Sequence, residues 1–159
     1  MIDEVDVKIL NIIQEDARIS NAEIARQIGM AASATLERVR KLEESGIIQR
    51  YEARLKPQAL GLGLLAFVFV RIEGPAEALA TGRQLAAIPE VQEVHHIAGE
   101  DCFLVKLRTE STEKLGEILR EKFGGIPAIK TTRTAIAFTT LKETSQLPLA
   151  TVESGSDDK

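Results

Sequence analysis

Among the side chains that could supply a nucleophile, a base or a metal ligand, His95, His96, Cys102, Ser33 and Ser45 come first, and their spacing argues against all three roles. His95 and His96 are adjacent in an extended run, so they point to opposite faces and cannot form a dyad or share a metal ion. A lone cysteine excludes an internal disulfide and a multi-cysteine zinc site, as suits a reducing compartment. Ser33, Ser45 and Cys102 have no obvious base nearby in sequence. No catalytic residue, metal site or cofactor is assigned. A different chemistry is legible between Ser33 and Lys41. There the small residues Ser33, Ala34 and Thr35 are followed by Glu37, Arg38, Arg40 and Lys41, mostly on one side of a helix at 100° per residue. Slim side chains let a helix approach base edges, and the cations that follow can reach guanine edges or phosphates. Each cation by itself has a plain alternative, an ordinary solvated pair with Glu37, Glu43 or Glu44, and Glu37 weighs against tight contact at its own position.

The elements that must hold this surface are well marked. Ser20 and Glu23 have the spacing of a capping box, Ile19 and Ile24 that of a hydrophobic staple, and Gly29 falls where a left-handed helix end is wanted. After the turn at Gly29–Ala31, the residues Ala32, Leu36, Val39 and Leu42 form an apolar stripe that ends at Gly46. A preceding helix, capped by Asp3, offers Ile2, Val5, Ile9, Ile12 and Ile13 to the other two. Residues 1–48 therefore read as a three-helix helix-turn-helix domain, whose expected partner is double-stranded DNA. Residues 49–61 read as a linker strand.

From Leu62 the pattern changes. Leu62–Ile72 is apolar on both faces, as in a central strand, and Gly74-Pro75 leads into a helix over about 76–87. Strands 91–97 and 102–108 follow, joined through Gly99, then a helix capped by Ser111 and stopped at Gly124-Gly125, then a strand over 128–140. The expected class is α+β, an N-terminal three-helix domain plus a C-terminal ferredoxin-like βαββαβ domain over 62–141. Its uncovered sheet face implies a two-fold homodimer. Residues 142–159 lose periodicity and become rich in Ser, Glu and Asp, the composition of a disordered tail. The longest apolar run is too short to cross a bilayer and no apolar leader precedes it, so no membrane partner is expected and the location reads as cytoplasmic. A net charge of −4 over 159 residues gives no general attraction to phosphate. An acidic DNA binder must gain affinity by assembly, where avidity adds roughly 10² to 10⁴.

Nearly the whole chain resembles the Lrp/AsnC, or feast/famine, transcription regulators. The residues carrying the likeness are Asp3, Asp6 and Ile9-Leu10, then Asp16–Ser20, Glu23–Ala25 and Ile28-Gly29, then Leu36–Glu43 and Gly46–Ile48. In the second half they are Pro89–Val91 and His96–Lys106. The resemblance implies dimerisation through the C-terminal sheets, further assembly to an octamer, and an amino acid or related effector bound between dimers. It places the effector at Gly99, Glu100 and Asp101. A turn glycine exposes backbone N–H groups to a carboxylate, and either acid can take an ammonium. Thr132 and Thr134 share one face of the last strand and could line the same pocket. Two departures stand out. Ala31 replaces the family's usual Ser or Thr at the start of the third helix, which Ser33 could move by two residues. Cys102 stands where many members carry an acid. Two other readings are an architectural DNA-wrapping protein without an effector and, by architecture alone, an enzyme similar to siroheme decarboxylases.

Overall fold

A computed structural model describes residues 2–150. The chain forms two compact units: one built on the helices up to Arg54 and rejoined by the chain from Glu143, the other spanning Leu55–Lys142.

The first unit holds α1 (Glu4–Glu15), α2 (Asn21–Ile28) and α3 (Ala32–Glu44). The capping box lies on α1: the Asp6 N–H donates to the Asp3 carboxylate at 2.9 Å, and the Asp3 N–H donates to Asp6 at 3.1 Å. On α2 only half of the expected box forms. Ser20 Oγ accepts from the Glu23 N–H at 3.1 Å, but the Glu23 carboxylate turns to Arg26 and Gln27, which hold its pKa down at about 2. Gly29 ends α2 in the left-handed region, at φ 70°. Ile9, Leu10, Ile13, Ile24, Val39 and Leu42 close the core.

The inward stripe of α3 differs from the sequence reading. Thr35 is fully buried with Val39 and Leu42, whereas Leu36 is 52% exposed. The physical reason is local: Thr35 Oγ1 donates to the Ala31 carbonyl at 3.1 Å, which satisfies the hydroxyl inside the core. α3 begins at Ala32 with Ala31 as an N-cap that makes no side-chain bond, so Ser33 does not move the start.

The expected linker strand over 49–61 has no ladder in this single chain; residues 57–60 form a 3-10 turn instead. Tyr51 Oη donates to Glu43 at 2.8 Å, and burial together with that carboxylate raises the phenol pKa to about 12. The tail reading also changes. Residues 143–150 carry no regular structure, yet they lie against α1, with Leu149 packed on the helical core. Residues 151–159 of that tail lie outside the described residues.

The second unit is the expected α+β module. β1 (Leu64–Ile72), α4 (Ala78–Ala86), β2 (Val91–His96), β3 (Phe103–Thr109), α5 (Thr112–Glu117) with a π-helical continuation over Ile118–Phe123, and β4 (Ile129–Ile136) follow in order. The antiparallel sheet runs β2-β3-β1-β4. Ala66, Val68, Val70 and Ile72 pack with Leu85, Leu115, Ile118 and Phe123 on the helix-covered face. Phe67 and Phe69 alternate with them and remain half-exposed on the other. β4 stops at Ile136 rather than near 140, because β1 begins at Leu64 and offers no partner beyond the bond from Ala137 N–H to the Leu65 carbonyl. Among the described residues no helix is long and apolar enough to cross a membrane.

Gly29→Ala meets no atom but must hold a positive φ, so it should cost about 1 kcal/mol in denaturant unfolding. Gly124→Ala places its Cβ on the Arg120 carbonyl oxygen and should cost clearly more. In acid, the relevant pair is Glu90 and Lys122, whose ammonium donates to both carboxylate oxygens at 2.6 Å and holds the Glu90 pKa below its ordinary range. A depressed carboxylate pKa contributes stability that is complete above the unfolded value and is lost as pH falls through the folded one. Thermal melts between neutrality and about pH 3 should therefore fall less steeply for Glu90→Gln than for the wild type.

Candidate functional site

The exposed side of α3 is the first candidate. Ser33, Ala34, Glu37, Arg40 and Lys41 face solvent; Thr35 does not, because it fills the core, and it is removed from the contact surface. Arg38 is placed differently again. Its Nη1 donates to Asp3 at 2.7 Å and to Asp6 at 2.8 Å, so it joins α3 to the capping box of α1. The Asp6 N–H first, and then the guanidinium, hold the Asp3 carboxyl below its ordinary range. The two carboxylates raise the Arg38 pKa in return. Arg40 pairs with Glu44 at 2.8 Å and Lys41 with Glu37 at 3.2 Å, both one helical turn apart and strongly exposed. Such pairs hold weakly, so phosphate can displace the carboxylates at little cost. Beside α3 lies an open groove of about 550 Å³, lined by Asp3, Asp6, Ala34, Glu37, Arg38 and Lys41.

The second candidate is the β2–β3 connection. Gly99 takes φ 117°, the Ile97 N–H donates to the Cys102 carbonyl at 2.9 Å, and the Cys102 N–H reaches the Val70 carbonyl at 2.8 Å. These bonds set Glu100 and Asp101 beside two arginines that the sequence reading did not single out. Arg71 Nη2 lies 2.6 Å from Glu100, and Arg133 Nη2 lies 3.4 Å from Asp101. The Arg133 guanidinium also stacks over Phe69, 4.0 Å from the ring centre. A usable signal existed in each case: Arg71 is the one charge in the run Leu62–Ile72, and Arg133 breaks a threonine-rich strand.

Thr132 and Thr134 do not join this group. Thr132 pairs with Val70 and Thr134 with Val68, both on the helix-covered face, whereas Arg133 pairs with Phe69 on the open one. Register decides this, since neighbours along a strand point to opposite sides. His95 and His96 separate as expected: His95 meets Glu93 at 3.0 Å, and His96 packs on Phe103 with ring centres 5.2 Å apart. Among the described residues no group of three or more His, Cys, Asp or Glu side chains could hold a metal ion.

A helix-turn-helix unit carried on a ferredoxin-like module with a charged hairpin defines a DNA-binding regulator with a ligand domain. Residues 2–49 match the winged helix-turn-helix DNA-binding family, and residues 65–147 match the Lrp/AsnC ligand binding domain. The HTH-type transcriptional regulator FL11 of Pyrococcus horikoshii is 40% identical over 149 residues, spanning 93% of this chain and 97% of the relative. The leucine-responsive regulatory protein of Escherichia coli K12 is 34% identical over 152 residues, 94% of this chain and 93% of that protein. A Neisseria meningitidis transcriptional regulator, solved in complex with L-Met, superposes with a TM-score of 0.88 at 27% identity, over 94% of this chain and 97% of that one. The chain belongs to the Lrp/AsnC family of helix-turn-helix transcription regulators, and these relatives are regulators rather than enzymes.

The geometry separates the α3 cations by role. Lys41→Ala and Arg40→Ala should weaken binding to different duplexes alike and each reduce the salt slope by about one. Arg38→Ala should instead lower the melting temperature of the first unit by several degrees, as followed by circular dichroism. Salt slopes unchanged from the wild type in both Lys41→Ala and Arg40→Ala would remove α3 from the DNA interface.

Proposed function

We propose that this regulator responds to an amino acid bound at the hairpin between Ile97 and Cys102, on a sheet that pairs with a second copy of the chain and assembles further, to an octamer. The observation that carries this reading is the alternation of charge at the hairpin: Arg71 with Glu100, and Arg133 with Asp101. A zwitterion brings one carboxylate and one ammonium. Its carboxylate suits Arg133 or Arg71, its ammonium suits Asp101 or Glu100, and each new contact replaces an exposed internal pair that stabilises little on its own. The backbone N–H groups around Gly99 remain a further donor set. Phe69, under Arg133, offers an apolar surface for an effector side chain.

Dimerisation is supported by the open sheet face, where Phe67 and Phe69 lie half-exposed, and by Phe138 and Leu141, which are almost wholly exposed beyond β4. Apolar surface left in water in this way favours a self-complementary interface. Assembly would also set several α3 helices on one duplex, which the excess of acids in this chain requires.

L-methionine is the first probe, since the N. meningitidis regulator was solved with L-Met and a M. tuberculosis feast or famine regulatory protein with L-methionine. A thermal-shift series over the common amino acids should show saturable stabilisation by at least one, about 2.7 kcal/mol at 100 times its Kd. Asp101→Ala and Arg133→Ala should abolish that shift and leave DNA binding of the unliganded protein intact. Failure of every amino acid to shift the melt would favour an architectural protein without an effector. For assembly, light scattering should give a multiple of the chain mass, and Phe67→Lys should reduce it.

A further inference from the structure

Residues 146–149 touch α1 more closely than any composition-based reading of an acidic, unpatterned end would suggest. The Gln14 carboxamide pairs with the backbone of Leu147 in both directions: the Leu147 N–H donates to Gln14 Oε1 at 2.6 Å, and Gln14 Nε2 donates to the Leu147 carbonyl at 3.2 Å. Gln146 Nε2 donates to the Gln14 carbonyl at 2.9 Å, one of the last four carbonyls that a helix leaves without an internal donor. Asn11 Nδ2 reaches the Leu149 carbonyl at 3.4 Å, and the Leu149 side chain joins the core cluster of Ile9, Ile13 and Val39. The last turn of α1 carries no cation and its C-cap, Asp16, is extended. The Asp16 N–H closes back onto the Ile12 carbonyl at 3.1 Å, and the C-terminal segment adds a donor to the Gln14 carbonyl two residues further on.

The far end of the same helix holds α3. Asp3 and Asp6 grip Arg38, so α1 acts as a rod of about 16 Å at 1.5 Å per residue, fixed at one end by the segment and at the other by the recognition helix. We propose that Gln146, Leu147 and Leu149 are positioning residues for DNA binding: they hold α1, which holds α3 through Arg38, and so set DNA affinity without touching DNA. The inference rests on α3 being the helix that reads DNA, and is independent of where any effector binds.

The test uses full-length protein and a duplex enriched from a random pool by the wild type. Gln14→Leu and Leu149→Asp remove the amide pairing and the apolar anchor, and Gln146→Ala is a milder surface change that removes only the bond to the Gln14 carbonyl. Amide hydrogen exchange over residues 12–18 should quicken about tenfold in the first two and less in the third. The Kd for the duplex should rise several-fold in the same order, with an unchanged salt slope, since that slope counts phosphate contacts. Leu149→Met should restore wild-type affinity. Wild-type exchange rates in Gln14→Leu and Leu149→Asp would overturn the proposal, as would faster exchange with unchanged Kd, which would leave the segment a purely structural support. A reduced salt slope would also overturn it by showing direct contact with phosphate. Lys41→Ala and Arg40→Ala run alongside separate the two readings: if both leave the salt slope unaltered, the assignment of α3 fails, whatever the segment does.

Discussion

The register of β1 between its two neighbours is the constraint on which the ligand-binding unit depends. Val68 opposes Val105 on one side and Thr134 on the other, and Phe69 opposes Leu104 and Arg133. A slip of one residue would turn Val68 and Val70 to solvent and drive Phe69 and Arg71 under the helices. Burial of the apolar set forbids that slip, and the same choice places Arg71 and Arg133 beside the hairpin acids. The charged cluster is thus held by hydrophobic packing on the opposite face of the sheet. Its own exposed ion pairs are too weak to organise it.

In the helical unit the comparable fixture is Arg38 between Asp3 and Asp6. A cation on the last helix of a helix-turn-helix unit invites assignment to phosphate, yet Arg38 is engaged in holding α1 to α3. The exposed cations left on α3, Arg40 and Lys41, each lean on a carboxylate one turn away. The exposed side of α3 consequently carries little net charge. Ser33 and Ala34 leave the start of the same helix face slim and uncharged.

Local signals were read accurately where a residue acts on its own backbone. Asp3, Ser20 and Ser111 cap the helices assigned to them, Gly29 and Gly99 adopt positive φ, and the strand and helix order of the second unit emerges from periodicity alone. Errors arose where two options differ by one residue of rotation. Thr35 and Leu36 compete for the inward position on α3, and hydropathy favours leucine. What decides for threonine is a bond to the Ala31 carbonyl that hydropathy does not register. Glu23 likewise prefers Arg26 to its own cap. The place of residues 143–150 is not legible locally, because polarity and lost periodicity describe a chain with no internal pattern and say nothing about a partner helix that supplies hydrogen bonds from outside.

The sequence by itself determined the two modules, their element order, the helix ends and the family, because caps, turns and periodicities act within a few residues. Only the tertiary structure decided that Arg38 braces helices, that Arg71 and Arg133 complete the hairpin, that Thr132 and Thr134 face away from it, and that the chain returns to α1. Each of these joins residues about thirty or more apart in sequence, or depends on which way a strand faces. Such contacts follow from sheet register and from burial of distant apolar surfaces against one another, quantities that no local window of residues contains.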